Sequence, residues 1–408
     1  MSFTSVPILD LAQSRDPATK PQFLSELRHA LMEVGFLYLK NVGIPETYGA
    51  RSSARGGRSS TSRGKRRHGW TGLTYEVPRL RIEMKNAPSF LGYSQLSAEI
   101  TAGAIDHREQ IDLSTEHPVP GPDAPIWDNL LAPNQWPSAS VLPNFQRVYT
   151  DYISKMGAIS IQFTSLIAEA IDLPADAFNR YFDEGQQHKL KIVKYPDVSE
   201  LGLGSDVQGQ GVGPHKDSML TSYLLQASDH KGLQVQNMKG EWIDCPPIDG
   251  TLVVAIGQGL EALTQGVCCS TTHRVLSPKG GAGARFSIPF FQGVRGSSTF
   301  EELESIGVGE VPEAIKDQRR KVLEANGGRL DDVEFTFRSG GVAKTLGEAT
   351  LRNRVKSHPD VGERWYPDIL RSIREQQARE AQEKAQKAEQ ISVQNGAVDL
   401  SRQSVKAH

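Results

Sequence analysis

The sequence predicts an α+β chain: a mainly β core of the sandwich or jelly-roll kind, with helices packed outside it. Three observations carry this. From about residue 188 the runs "KLKIVKYP", "TSYLLQ", "LQVQN", "EWIDCPP", "TLVVAIG", "STTHRVLS" and "ARFSIPFFQ" are short and β-rich. Gly and Pro turns separate them at regular intervals, the texture of stacked antiparallel strands and not of βαβ units. Phe145, Val148, Tyr149, Tyr152, Ile153, Met156, Ile159, Phe163, Leu166 and Ile167 mark one long amphipathic helix that begins after Pro143 and stops before Pro174. Ahead of both, "VPILDL" reads as a strand. Phe23, Leu24, Leu27, Leu31 and Val34 share one helical face that Gly35 ends, and "FLYLKNVGIP" is then a strand and a turn.

Composition bounds the function. The chain has 408 residues and a net charge of −2, so nothing pulls it as a whole toward nucleic acid or an anionic membrane. No apolar run reaches the roughly 20 residues of a membrane helix. "MSFTSVPILDL" lacks the basic and apolar regions of a signal peptide. Three cysteines, Cys245, Cys268 and Cys269, cannot build a disulfide framework, which fits a reducing, cytoplasmic setting. The adjacent pair in its strand-like run reads as core packing.

On texture the chain divides into 1–187, mixed and helical; 188–340, the β core; and 341–408, polar. Arg108 to Pro137 is Pro-rich and loop-like. Residues 368–390 have helix propensity but an apolar stripe of mostly Ala, so they read as a solvated helix followed by a frayed tail. An atypical basic insert occupies about 49–80. Its island, 51–68, carries seven of the chain's 46 Lys and Arg and none of its 48 acids. It reads as a solvated loop, with a nucleic-acid contact or a retained intron or shifted frame as alternatives.

The chemistry concentrates in "GVGPHKDSML", residues 211–220. Taking "GVGP" as a turn and the following residues as strand, His215 and Asp217 share one side and can reach one ion, while Lys216 points away. Two ligands hold a metal loosely. His273 in "STTHRVLS" is the histidine inside a β-rich run of the same region and supplies the third. Two His and one carboxylate with open positions form the facial triad of non-haem Fe(II) oxygenases. Zinc accepts the same ligands, but a closed site wants a fourth. Twelve residues on, Arg285 and Ser287 share a face of an otherwise apolar strand. Such an arginine needs an anionic partner: either an internal carboxylate or that of a bound co-substrate.

At these residues the sequence resembles the 2-oxoglutarate/Fe(II)-dependent dioxygenases, in their isopenicillin N synthase-like branch. His215-x-Asp217, His273 and Arg285-x-Ser287 match the family's His-x-Asp…His and Arg-x-Ser motifs in order and spacing. "VPILDL", "GFLYLKNVGIP", "SFLGYS" (89–94), "DHREQIDL" (106–113) and "GTLVVAIGQGLEALTQG" are similar to other family segments. The resemblance implies a double-stranded β-helix, a relative of the jelly roll, with a dioxygenase-type N-terminal region before it. It implies that His215, Asp217 and His273 ligate Fe(II), that Arg285 and Ser287 hold the distal carboxylate of 2-oxoglutarate, and that Tyr195 of "KYP" adds a hydrogen bond. The expected reaction couples decarboxylation of 2-oxoglutarate by O2 to hydroxylation, desaturation or ring closure of a small-molecule substrate. The substrate is expected near Phe291, "SFLGYS" and the outer loops, with no nucleic acid, membrane or obligate protein partner. Alternatives are an oxidase that uses no 2-oxoglutarate and an inactive binding relative. Departures from the family pattern are Val193 at an Asn position, Gly257-Gln258 where many relatives have Gly-Asp, and the 49–80 insert in place of an amphipathic helix.

Overall fold

The computed structural model describes residues 2–44, 82–101, 103–183, 185–204, 209–305, 310–328 and 343–379, with 381, 382 and 386. The basic island and the whole of the 49–80 insert lie outside these residues, so the readings made of them do too. Two compact units are present, Met1–Leu351 and Arg352–His408.

In the first unit every β-rich run of the sequence is a strand. The strands are β1 (Ile8–Asp10), β2 (Phe36–Lys40), β3 (Gly92–Ser94), β4 (Ile100–Thr101), β5 (Ala104–Ile105), β6 (Glu109–Ser114) and β7 (Lys189–Tyr195). They continue with β8 (Gln210–His215), β9 (Thr221–Gln226), β10 (Leu233–Gln236), β11 (Trp242–Asp244), β12 (Thr251–Ile256), β13 (His273–Leu276) and β14 (Arg285–Phe291). Eight of them make one sheet in the order β1-β2-β12-β9-β14-β7-β6-β3, and four make a second, β11-β10-β13-β8; β4 and β5 pair as a small hairpin. Only the β1–β2 pairing is parallel among these ladders. The N-terminal strands are therefore part of the core sheet.

Side-chain alternation builds two cores from the large sheet. One face carries Leu37, Leu39, Leu190, Ile192, Tyr223, Leu252, Val254, Ile288 and Phe290. They pack on helix α1 (Lys20–His29), which runs on to Val34, and on α2 (Phe145–Ala170). Gly35, left-handed at φ 69°, ends the first of these. The other face carries Phe36, Tyr38, Val193, Tyr195, Val253 and Ala255, which meet Val212, Leu233, Val235 and Val275 of the small sheet. Burial on both sides explains the unbroken apolar run "TLVVAI" of β12. This is the sandwich that closes into a double-stranded β-helix.

Three expectations change. Within the Pro-rich stretch, residues 109–114 form β6, paired along its whole length with β7. Ile111 and Leu113 fill the helix-side core, and Gln110 and Asp112 are buried but hydrogen-bonded, so alternation there was masked by polar residues with partners inside. "GVGPH" is strand and not turn. Pro214 is tolerated because β8 is an edge strand and its ladder to β13 is irregular at that point. Cys268 and Cys269 follow a helix turn instead of lying in a strand, yet both are buried, and burial pushes the Cys268 thiol up to about 12.

In the second unit, Pro359–Trp365 is helical and residues 367–379 continue as helix. Val355, Val361, Leu370 and Ile373 are buried, while 374–379 are exposed, as a solvated helix requires. Among the described residues no helix is long and apolar enough to cross a membrane.

His188, at the entry to β7, is buried with its ring 5.0 Å from that of Phe290. Burial first, and then His117, pushes its imidazole down to about 4. Below its ordinary value of 6.5 the unfolded chain takes up a proton that the folded chain refuses until about 4. Stability is therefore lost as pH falls through this window, by on the order of 3 kcal/mol. Urea unfolding of wild type between pH 7.5 and 4 is expected to show this slope, and His188→Gln to flatten it.

Candidate metal centre and its 2-oxoglutarate pocket

His215 ends β8 and His273 opens β13, and the two are directly paired across the ladder. Asp217 lies beyond the end of β8, in the turn to β9, so strand alternation is not what aligns it with His215. The turn is held instead by backbone bonds, from Gln258 N–H to the Asp217 carbonyl (2.8 Å) and from Gly257 N–H to Leu220 (2.9 Å). The outcome is still convergence. One donor atom from each of His215, Asp217 and His273 lies within 4.8 Å of the others. Asp217 Oδ1 is 3.7 Å from Nε2 of both histidines. Lys216 turns away and lines a separate recess with Phe3, Gln236 and Thr272.

Each imidazole is oriented by its own backbone. His215 Nδ1 is 2.8 Å from the Gly213 carbonyl and His273 Nδ1 is 3.2 Å from that of Thr271. A carbonyl only accepts, so both Nδ1 atoms carry the proton and both Nε2 atoms present a lone pair to the centre. Burial and the nearby His273 hold the His215 imidazole well below its ordinary value, which keeps that lone pair free of protons. Phe36 of β2 supports His273, ring to ring at 5.0 Å. Three such donors on one side suit an ion that keeps open positions.

Arg285 and Ser287 share the inner face of β14 and are fully buried. Arg285 pairs in register with Tyr195 of β7, and its guanidinium carbon lies 5.1 Å from the Tyr195 ring centre. Its Nη2 donates to Gln226 Oε1 at 3.2 Å. Among the described residues it forms no ion pair, so the internal salt bridge is not found. Its Nε and Nη1 and the Ser287 hydroxyl have no hydrogen-bond partner. Burial lowers the guanidinium's hold on its proton, opposed by Tyr195. A buried cation with two unused donors beside an unused hydroxyl is a receptor shaped for a carboxylate.

The sequence reading gave no role to three residues here. Gln226 sits opposite Ser287 in register, and its own Nε2 donates to the Cys245 carbonyl, which turns its oxygen toward Arg285. Alternation in "TSYLLQ" was the available signal. Asp106 and Arg108 belong to a buried network with Glu99, Gln110, Asp112 and Lys191. Burial opposes the charge on Arg108, but Glu99, Tyr195 and Asp106 outweigh it and raise its affinity for the proton. Beyond the Asp217 turn, a small, mainly apolar hollow is lined by Tyr181, Met219, Leu220, Leu263 and Val294.

The model of the 2OG-Fe(II) oxygenase superfamily matches residues 178–294. That of the non-haem dioxygenase in morphine synthesis N-terminal region matches 6–54 and 78–139, leaving out most of the insert. The 2-oxoglutarate-dependent dioxygenase frbJ of Dothideomycetidae sp. (strain 11243) is 61% identical over 93% of this chain and 97% of its own length. The chain belongs to the 2-oxoglutarate- and Fe(II)-dependent dioxygenases. A 2-oxoglutarate-dependent dioxygenase of Gibberella zeae is 36% identical over 92% of this dioxygenase and 95% of its own length. A full-length Neurospora crassa protein solved in complex with alpha-KG and thymine superposes with a TM-score of 0.60 at 20% identity, covering 86% of this chain and 96% of that one. It shares the double-stranded β-helix. The isopenicillin N synthase-like branch is consistent with the superfamily match. The dioxygenase is thus an oxidoreductase that uses iron, 2-oxoglutarate and O2.

Gly257 is the tightest support of the Asp217 turn. A Cβ there would stand 1.9 Å from the Met219 carbonyl oxygen and 3.2 Å from that of Asp217. Gly257→Ala must shift the turn, and overpacking of this kind costs about 1–3 kcal/mol. Both the thermal midpoint and the affinity for Co(II) are expected to fall, measured by calorimetry and metal titration. Gly259→Ala, whose Cβ would be 3.2 Å from Met219 O, should do less.

Proposed function

We propose that His215, Asp217 and His273 are the Fe(II) ligands of this dioxygenase, and that Arg285, Ser287 and Tyr195 receive 2-oxoglutarate. The observation that carries the reading is the pair of preset Nε2 lone pairs facing one carboxylate oxygen, together with a buried guanidinium that has unused donors. Bound iron and 2-oxoglutarate supply the oxidising power, through decarboxylation of the keto acid by O2 to succinate and CO2. The residues do the rest. His215, Asp217 and His273 would hold the ion with one donor atom each, which would leave positions for co-substrate and oxygen. Arg285 and Ser287 fix the distal carboxylate with charge-assisted bonds, and Gln226 holds Arg285 in place. Tyr195, whose ring centre lies 5.1 Å from the Arg285 guanidinium carbon, would add a hydrogen bond to the co-substrate. Val253, Val235 and Val275 exclude water from the barrel.

The substrate is a small molecule. Buried Gln110 and Asp112, with half-buried Lys191, make one flank polar, and homoarginine and thymine figure in the names of related proteins. Small polar molecules are therefore the first class to screen. We also propose a division of labour along the chain: residues 188–340 carry the chemistry, 1–187 brace it, and 341–408 follow as helix and tail. The family matches at 6–54, 78–139 and 178–294 support it.

Anaerobic Fe(II) followed by 2-oxoglutarate is expected to give a weak visible charge-transfer band that His273→Ala abolishes. Iron binding without the band would favour the oxidase that uses no 2-oxoglutarate, and no iron binding would favour an inactive relative. Arg285→Met should leave Fe(II) binding intact and raise the apparent Kd for 2-oxoglutarate by about 10- to 100-fold, the loss of about 1.5–3 kcal/mol that a charged hydrogen bond is worth. An unchanged Kd would remove Arg285 from the pocket.

A further inference from the structure

Asp106 lies in the connection from β5 to β6 and is completely buried. Its Oδ2 accepts from Thr101 Oγ1 at 2.6 Å and faces Arg108 Nη2 at 3.3 Å. Its Oδ1 accepts from Gln210 Nε2 and from the Gly213 N–H, each at 3.1 Å. The second of these bonds matters most. Between His215 and Val212 the β8–β13 register slips, so Gly213 and Pro214 together face Arg274. Pro214 has no N–H to give, and the Gly213 N–H goes to Asp106 and not to the ladder. The strand that ends in His215 is therefore not fixed at this point by its own sheet. The carbonyl of the same Gly213 is the acceptor that orients His215 Nδ1. A continuous path runs from Arg108 through Asp106 and the Gly213 backbone to the imidazole.

We propose that Asp106 is a positioning residue for His215, acting through Gly213. It holds the bulged backbone so that the Gly213 carbonyl keeps the imidazole in the tautomer with Nε2 free. The inference rests on the reading of His215 as an iron ligand. Outer partners of metal-bound histidines typically change metal affinity by 10- to 100-fold, and Asp106 occupies such a place one peptide further out.

The test uses full-length protein, Co(II) as the probe, and two readouts: the visible d–d spectrum during titration, and ¹⁵N shifts of the His215 ring in metal-free protein. Wild type should show His215 as the Nδ1–H tautomer. Asp106→Ala should raise the Co(II) Kd by about tenfold and let the Nε2–H tautomer appear. Asp106→Asn keeps an acceptor for the Gly213 N–H and should recover most of both. Should Asp106→Ala fail to fold, Thr101→Val frees Oδ2 to rotate and should give a smaller change of the same sign. Unchanged affinity and tautomer in Asp106→Ala, or in Thr101→Val when the alanine variant does not fold, would overturn the role of Asp106 alone. No Co(II) binding by wild type would overturn the ligand reading, and this role with it.

Discussion

The hydrogen bond from each imidazole Nδ1 to the carbonyl two residues earlier is the interaction on which the centre depends. Without it, the half-buried His215 and the buried His273 would be two rings free to turn either nitrogen inward. With it, one nitrogen of each ring is committed to the backbone, and the other is presented to Asp217 with no side chain spent on the task. The cost is transferred to the strands. Their carbonyls must be in place to within a few tenths of an ångström, so the site is only as precise as β8 and β13. That is why neighbouring features converge on those two strands: the Phe36 ring against His273, the Gln258 bond to the Asp217 turn, and Asp106 at the bulge.

The two-faced large sheet explains how a polar pocket survives inside an apolar fold. The helix side is continuous hydrocarbon, anchored by α1 and α2. The inner side changes character along the sheet, from Tyr38, Val253 and Ala255 through Ser287 and Arg285 to Gln110 and Asp112. Polar residues there satisfy one another wherever they can. Arg285 stands out among those left without a full set of partners, because it is a buried cation with two unused donors beside the unused Ser287 hydroxyl.

Much of this was legible in the sequence because periodicity and motif agreed. Alternation marked the strands from 188 onward, the 3.6-residue period marked α2, and His-x-Asp, His and Arg-x-Ser stood at recognisable spacings. The failures share a cause. β6 was hidden because four of its six residues are polar yet buried, two of them, Gln110 and Asp112, paired with Glu99 and Lys191 elsewhere in the chain. β8 was hidden because Gly and Pro signal turns locally, while an edge position and a bulge admit them. Asp217 joined His215 through a turn pinned by Gln258 and not through strand geometry. Each depends on a long-range contact that no local pattern carries. Asp106 is the extreme case: its meaning lies in a backbone N–H more than a hundred residues away.

The N-terminal strand β2 has a consequence for how the protein is made. Its residues 36–40 pair with 251–255, and Phe36 touches His273. A ribosome releases β2 long before either partner exists. At about 5–20 residues per second the strand waits on the order of ten seconds or more, largely apolar and with the edge that will meet β12 open, while β1 is already available for the other. During that interval it is an aggregation hazard that nothing in its own sequence relieves. His215, Asp217 and His273 can therefore come together only once most of the chain has been synthesised.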